Sequence, residues 1–254
     1  MKKALLCVSF GTSVNTARES ITALEHALAA AAPDRIFARA FTSSIIRRIL
    51  SKRGEEIPGV NEALAQLCES GVTDVFIQPT HILYGNEYDK IVSEAQSWQS
   101  RFQTLRIGRP LLADTADLLS MAKLLNKAYP TRSKESLVLF GHGTDHFANA
   151  AYPALQTAFR LLGREDVLVG TVEGWPSLSD VETQLKKTAC TRVHLVPLML
   201  VAGDHAMNDM AGEEKDSWKS CLEADGYDVA CTIQGLGMMP AVRELYRAHL
   251  ESML

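Results

Sequence analysis

Apolar positions along the chain switch repeatedly between two periods. "ALLCVSF" at 4–10 is a nearly continuous apolar run, which predicts a strand covered on both faces in a parallel sheet. From Thr16 the period changes: Ala17, Ile21, Leu24 and Leu28 recur at helical spacing, and Pro33 ends the pattern. The alternation continues through "RIFARAF" at 35–41, a helix over 60–70, "DVFIQP" at 74–79, a helix over 88–102, "LRIGRPL" at 105–111 and a helix over 115–128. Strands regularly interleaved with helices predict an α/β fold built on parallel sheet.

At Ser136 the pattern starts again. "SLVLFGHGT" at 136–144 lies over "ALLCVSFGT" at 4–12 and sets His142 opposite Phe10. A longer match lays "TRVHLVPLMLVAGDHAMN" from Thr191 over "TDVFIQPTHILYGNEYDK" from Thr73, pairing Pro79 with Pro197, Gly85 with Gly203 and Glu87 with His205. A weaker one sets "GTVEG" at 170–174 over "RAFTS" at 39–43 and places Glu173 at the end of the second strand of the second half. Ser179 and Glu182 then have the spacing of a capping box. The expectation is an internal duplication: two similar α/β domains facing each other, residues 1–130 and 131–254, joined within "KAYPTRSKES" at 127–136.

Composition narrows the class. With 46% apolar residues, 22% charged and a net charge of -4, the chain has no basic surplus for a phosphate backbone, so nucleic acid is not an expected partner. No apolar run is long enough for a membrane span, so no membrane partner is expected. Five cysteines without a CxxC pair suit a reducing compartment, and the expected localisation is cytoplasmic, with a removed export signal left open. Oligomeric state is not legible; a homo-oligomer is compatible with the sequence.

Ligands in open parallel sheets bind beyond the carboxyl ends of the strands, and the chemically capable residues of this chain cluster there. His142, Glu173 and His205 follow three strands of the second half. Two imidazoles and a carboxylate form a donor set suited to cobalt, nickel, iron or zinc, among which ligand type does not discriminate. Gly141 and Gly143 flank His142 and let backbone or ligand approach closely. Asn208 and Asp209, one turn beyond His205, could orient its ring, and Asp204 reads as a helix cap.

In the first half, His81 and Glu87 follow the "VFIQP" strand. The turn Ser9, Phe10, Gly11, Thr12, Ser13 could cradle an anionic group through backbone N–H donors, or be an ordinary helix entry. It lacks the spacing of the nucleotide-binding loops. His146 reads as a helix-start residue, His194 as structural, and His26 and His249 as solvated helix positions.

Taken together, "SFGTS", "AFTS", "GHG", "VE" followed by Pro176, "PLMLVAGDHAMNDM" and the later "DSW" resemble the anaerobic cobalt chelatases, the sirohydrochlorin cobaltochelatase family of class II chelatases. His81, Ile82, Gly85, Glu87, Tyr88 and Lys90 match as well, so the likeness covers nearly the whole chain. It implies two Rossmann-like α/β domains around a tetrapyrrole cleft, and insertion of cobalt(II), the substrate ion, into sirohydrochlorin or its reduced precorrin form in cobalamin biosynthesis. Neither ATP nor an organic cofactor is expected. The resemblance implies metal contact by His142, Glu173 and His205. His142 and His205 are the expected catalytic residues, His142 serving as base and ligand. The Ser9–Ser13 turn, His81 and Glu87 are expected on the tetrapyrrole. Iron or nickel as the natural ion, and a two-lobed binding protein without turnover, are the alternatives; one branch of the family is exported and binds haem.

Overall fold

The computed structural model describes residues 2–254. They form two compact units, one comprising the chain up to Ala113 together with Gly237–Leu254, the other Asp114–Leu236.

In the first unit β1 (Lys3–Ser9), β2 (Ile36–Phe41), β3 (Asp74–Pro79) and β4 (Thr104–Ile107) make a parallel sheet of order β2-β1-β3-β4. Its helices are α1 (Asn15–Ala31), α2 (Ser44–Ser51), α3 (Val60–Glu69), α4 (Asn86–Gln96) and, from the end of the chain, α9 (Pro240–Glu251). Successive strand side chains point to opposite faces. Ala4, Leu6 and Val8 accordingly join one core with residues of α3 and α4, while α1 and α9 pack on one another. The expected helix over 88–102 stops at Gln96, and only a single 3₁₀ turn, Gln99–Arg101, follows.

The second unit contains α5 (Thr115–Ala128), β5 (Glu135–Gly141), α6 (Ala151–Leu161), β6 (Val167–Thr171), α7 (Leu178–Leu185), β7 (Arg192–Pro197), α8 (Trp218–Ala224) and β8 (Asp228–Cys231). Its parallel sheet has the order β6-β5-β7-β8, the same topology as the first. Val138 and Phe140 of β5 meet α7 and α8, with Trp218 set edge-on to Phe140 at 4.9 Å between ring centroids.

Strand register carries the duplication down to single residues. Val8 sits opposite Pro79 between β1 and β3, and Phe140 opposite Pro197 between β5 and β7, as the longer matches require. The weaker match slips by one position. Past the strand ends Ser43 N donates to Phe10 O and Glu173 N to His142 O, so the counterpart of Glu173 is Ser43 and not Thr42.

Two further expectations are corrected. The units do not divide at 130/131: α5 packs on α6 and belongs to the second unit, while α9 returns to the first. The capping box of α7 is formed by Ser177 and Asp180 instead of Ser179 and Glu182; the Asp180 carboxylate accepts from both Ser177 N and Ser177 Oγ. All five cysteines are free, and among the described residues no helix is long and apolar enough to cross a membrane.

Candidate metal centre

The second sheet brings its three strand ends together. His142 follows β5, Glu173 follows β6 and His205 lies beyond β7, so the three flank the central strand at its carboxyl end. One donor atom from each lies within 4.8 Å of the other two, and among the described residues no other group of three metal-capable side chains converges in this way. His142 Nε2 is 3.7 Å from Glu173 Oε2, and the two imidazoles meet edge to face at 4.8 Å between centroids. Metal–ligand bonds of about 2.0–2.2 Å are reached from here by side-chain movements of under about 1 Å.

Hydrogen bonds fix which ring nitrogens are available. His142 Nδ1 lies 2.9 Å from the carbonyl oxygen of Gly143. A carbonyl only accepts, so Nδ1 carries the proton and Nε2 keeps its lone pair. His205 Nδ1 donates to Asp209 Oδ2 at 2.7 Å, which likewise leaves Nε2 as the donor atom. A carboxylate behind a ligating imidazole orients the ring and raises its basicity. Asn208 has a different partner, Asp204 Oδ1; Asp204 lies in the first helical turn rather than before it. Both imidazoles and the carboxylate retain solvent access, the arrangement of an open site and not of a closed structural one.

The turn bearing His142 depends on glycine. Gly143 has φ +85, in the left-handed region, and a Cβ there would fall 2.5 Å from Gly174 N. A Cβ at Gly141 would fall 2.4 Å from the Tyr152 ring, whose hydroxyl accepts from Gly143 N. Asn149 ties the two ligand-bearing turns together, its Oδ1 accepting from Thr144 N and its Nδ2 donating to Trp175 O. Sequence reasoning missed Asn149 and Tyr152; the signal available was only their place in the segment directly after "GHG".

The remaining candidates lie in the first unit. Ser9 is buried, and its Oγ accepts from Thr80 Oγ1. Thr12 Oγ1 accepts from Val14 N, the ring of Phe10 is half exposed, and Ser13 O accepts from Arg53. Gly11 has φ +101 beside the Phe41 ring. Both ring nitrogens of His81 and Glu87 Oε2 are buried without a hydrogen-bond partner. Burial, with Lys90 adding a smaller charge effect, lowers the His81 pKa to about 4. The repeat positions of the three donors hold Phe10, Ser43 and Glu87, one carboxylate and no imidazole, so the duplicated scaffold offers the donor set once.

Other histidines fall into structural places. His146 Nδ1 accepts from Ala148 N at the start of a 3₁₀ turn, and His194 bonds Thr232 Oγ1. His249, expected in solvent, is 3% exposed, because the buried face of α9 runs through Val242, Tyr246, His249 and Leu250.

Two α/β repeats, one of which opens an imidazole–carboxylate donor set to solvent, outline a metal-handling protein. The chain matches the cobalt chelatase (CbiK) family over residues 3–254 and belongs to that family. It is 44% identical to the sirohydrochlorin cobaltochelatase of Salmonella typhimurium, an alignment covering all of this chain and 97% of that protein. It is 31% identical to sirohydrochlorin cobaltochelatase CbiKC of Nitratidesulfovibrio vulgaris, over 98% of this chain and 89% of that one. Among solved structures, SirB from Bacillus subtilis with Fe3+ shares the fold, with a TM-score of 0.68 at 16% identity over 99% of this chain and 95% of its own.

Proposed function

We propose that this chain is a sirohydrochlorin cobaltochelatase whose metal-handling residues are His142, Glu173 and His205. The carrying observation is the convergence of these three donors at neighbouring strand ends of one sheet. Insertion exchanges one divalent ion for two pyrrolic protons, so the protein must hold the ion loosely and accept protons as it leaves. His142 suits both tasks: with Nδ1–H committed to Gly143 O, its Nε2 lone pair binds the ion first and takes a pyrrolic proton once the ion has passed on. Glu173, 3.7 Å from His142, offsets the charge of the entering ion and accepts the second pyrrolic proton. His205, steadied by Asp209, completes the hold. No step calls for a nucleotide or an organic cofactor.

Sirohydrochlorin is a polycarboxylate. We assign its binding to the Ser9–Ser13 turn through backbone N–H groups and the Phe10 ring, together with His81 and Glu87. The unpartnered buried atoms of these last two residues support a role in holding a ligand. Free cysteines and the absence of a basic surplus favour a reducing compartment and a small-molecule partner.

The decisive test follows the absorbance of sirohydrochlorin on mixing with Co2+ and protein, with Fe2+ and Ni2+ in parallel. Co2+ insertion faster than in the protein-free mixture is expected. His142→Ala is expected to lose at least about 100-fold in turnover while keeping its fold. No acceleration with any ion would remove the assignment.

A further inference from the structure

Among the described residues of the second unit, Phe147 and Trp175 are the exposed aromatic side chains, at 89% and 58%. Single exposed apolar residues need no explanation, but these two are not scattered. Phe147 follows His142 on the turn after β5, Trp175 stands two residues beyond Glu173, and Asn149 joins the two segments.

Trp175 is also held from both sides. Its carbonyl accepts from Asn149 Nδ2, and the carbonyl of the next residue, Pro176, accepts from Thr171 N at 2.7 Å and Thr171 Oγ1 at 3.1 Å. An aromatic ring kept in solvent on a fixed backbone costs burial and gains nothing inside the fold. The register counterpart of Trp175 is Ile45, likewise exposed, so the position is open in both copies and carries an aromatic ring in the copy that holds the donor set.

Resting on the cobaltochelatase reading above, we propose that Phe147 and Trp175 form the stacking platform that seats the flat face of the tetrapyrrole beside the metal donors. An ion enters a planar macrocycle along the ring normal, so the ring must present a face to His142, Glu173 and His205. A surface beside those donors therefore has to be flat and apolar, and aromatic rings meet both conditions. Their part is positioning: they fix the macrocycle relative to the ion and take no proton.

The test measures metal-free sirohydrochlorin binding, Co2+ binding alone and steady-state insertion for the wild type, Phe147→Ala, Trp175→Ala, the double variant and Trp175→Phe. Each lost ring is expected to raise Kd and KM for sirohydrochlorin by roughly 10- to 100-fold. Co2+ affinity should stay unchanged in all of them, and Trp175→Phe should restore most of the binding. Quenching of tryptophan fluorescence by sirohydrochlorin should also drop in Trp175→Phe, since Trp218 lies in the core and Trp98 packs against the core of the first unit.

Unchanged sirohydrochlorin affinity in the double variant overturns the proposal. A parallel loss of Co2+ affinity overturns it too, because the rings would then be supporting the donor turns. So does a wild-type dimer that the double variant turns into a monomer without loss of sirohydrochlorin binding, which would mark a self-association face. If the wild type itself neither binds nor metallates sirohydrochlorin, the cobaltochelatase reading fails first and takes the platform with it.

Discussion

At the scale of single residues, what the donors lean on decides the outcome. Replacing Asp209 by Ala leaves His205 in place but removes the hydrogen bond that orients its ring. Co2+ affinity should fall by roughly 10- to 100-fold with little change in thermal stability, read by titrating the cobalt absorbance. Gly143→Ala acts differently, since it forces a Cβ onto Gly174 N at a left-handed φ. The two ligand turns must then part, and both metal binding and stability should drop, the latter by about 1–3 kcal/mol in chemical denaturation. His142, Glu173 and His205 were legible in the sequence because each follows a strand and two repeat cleanly against the first half. Their supports were less so. Asp209 could be read from helical spacing behind His205, but Asn149 and Tyr152 act across a fold that must first be known. His249 shows a misread signal: it recurs with Val242 and Tyr246 at helical spacing, and its polarity masked its place on the buried face.

At the scale of elements, strands buried on both faces announce themselves as continuous apolar runs, and β1 and β5 are therefore plain in the sequence, while β3 and β7 are marked by their match to one another. The edge strand β8 alternates between exposed and half-buried positions over four residues, and α2 buries only Leu50, so neither leaves a strong pattern. Fit between elements is less visible still. Trp218 at the start of α8 lies over β6 only because Gly170 has no side chain: a Cβ there would fall 2.6 Å from the indole and 2.7 Å from Val181. Gly170→Ala should cost about 1–3 kcal/mol by overpacking, seen as a lower urea midpoint with unchanged slope. Because β6 delivers Glu173, the same variant should also weaken Co2+ binding. Loss of stability with untouched metal affinity would show that the sheet does not transmit packing to the site.

At the scale of the molecule, the duplication was readable because both copies keep the same strand register, whereas the domain limits were not. Sequence order suggests a cut after the fifth helix, but α9 carries Tyr246, whose hydroxyl donates to Thr80 O at 2.7 Å, and thereby belongs with the first sheet. The residue after Thr80 contributes to a property of the whole chain, its tolerance of acid. His81 is held neutral by burial, with its pKa lowered from 6.5 to about 4. The unfolded chain therefore takes up this proton first as pH falls through 6.5, while the folded chain resists until about pH 4. The stability this group contributes is complete above pH 6.5 and is lost progressively below it, by up to about 3 kcal/mol at pH 4. His81→Gln removes the titration, so its unfolding free energy should vary less between pH 7 and 4.5 than that of the wild type. Subtracting the two curves cancels every group they share. Parallel curves would mean that the imidazole takes up its proton in the folded protein as easily as in the unfolded one, and that water or a counter-charge reaches nitrogens the fold otherwise seals off.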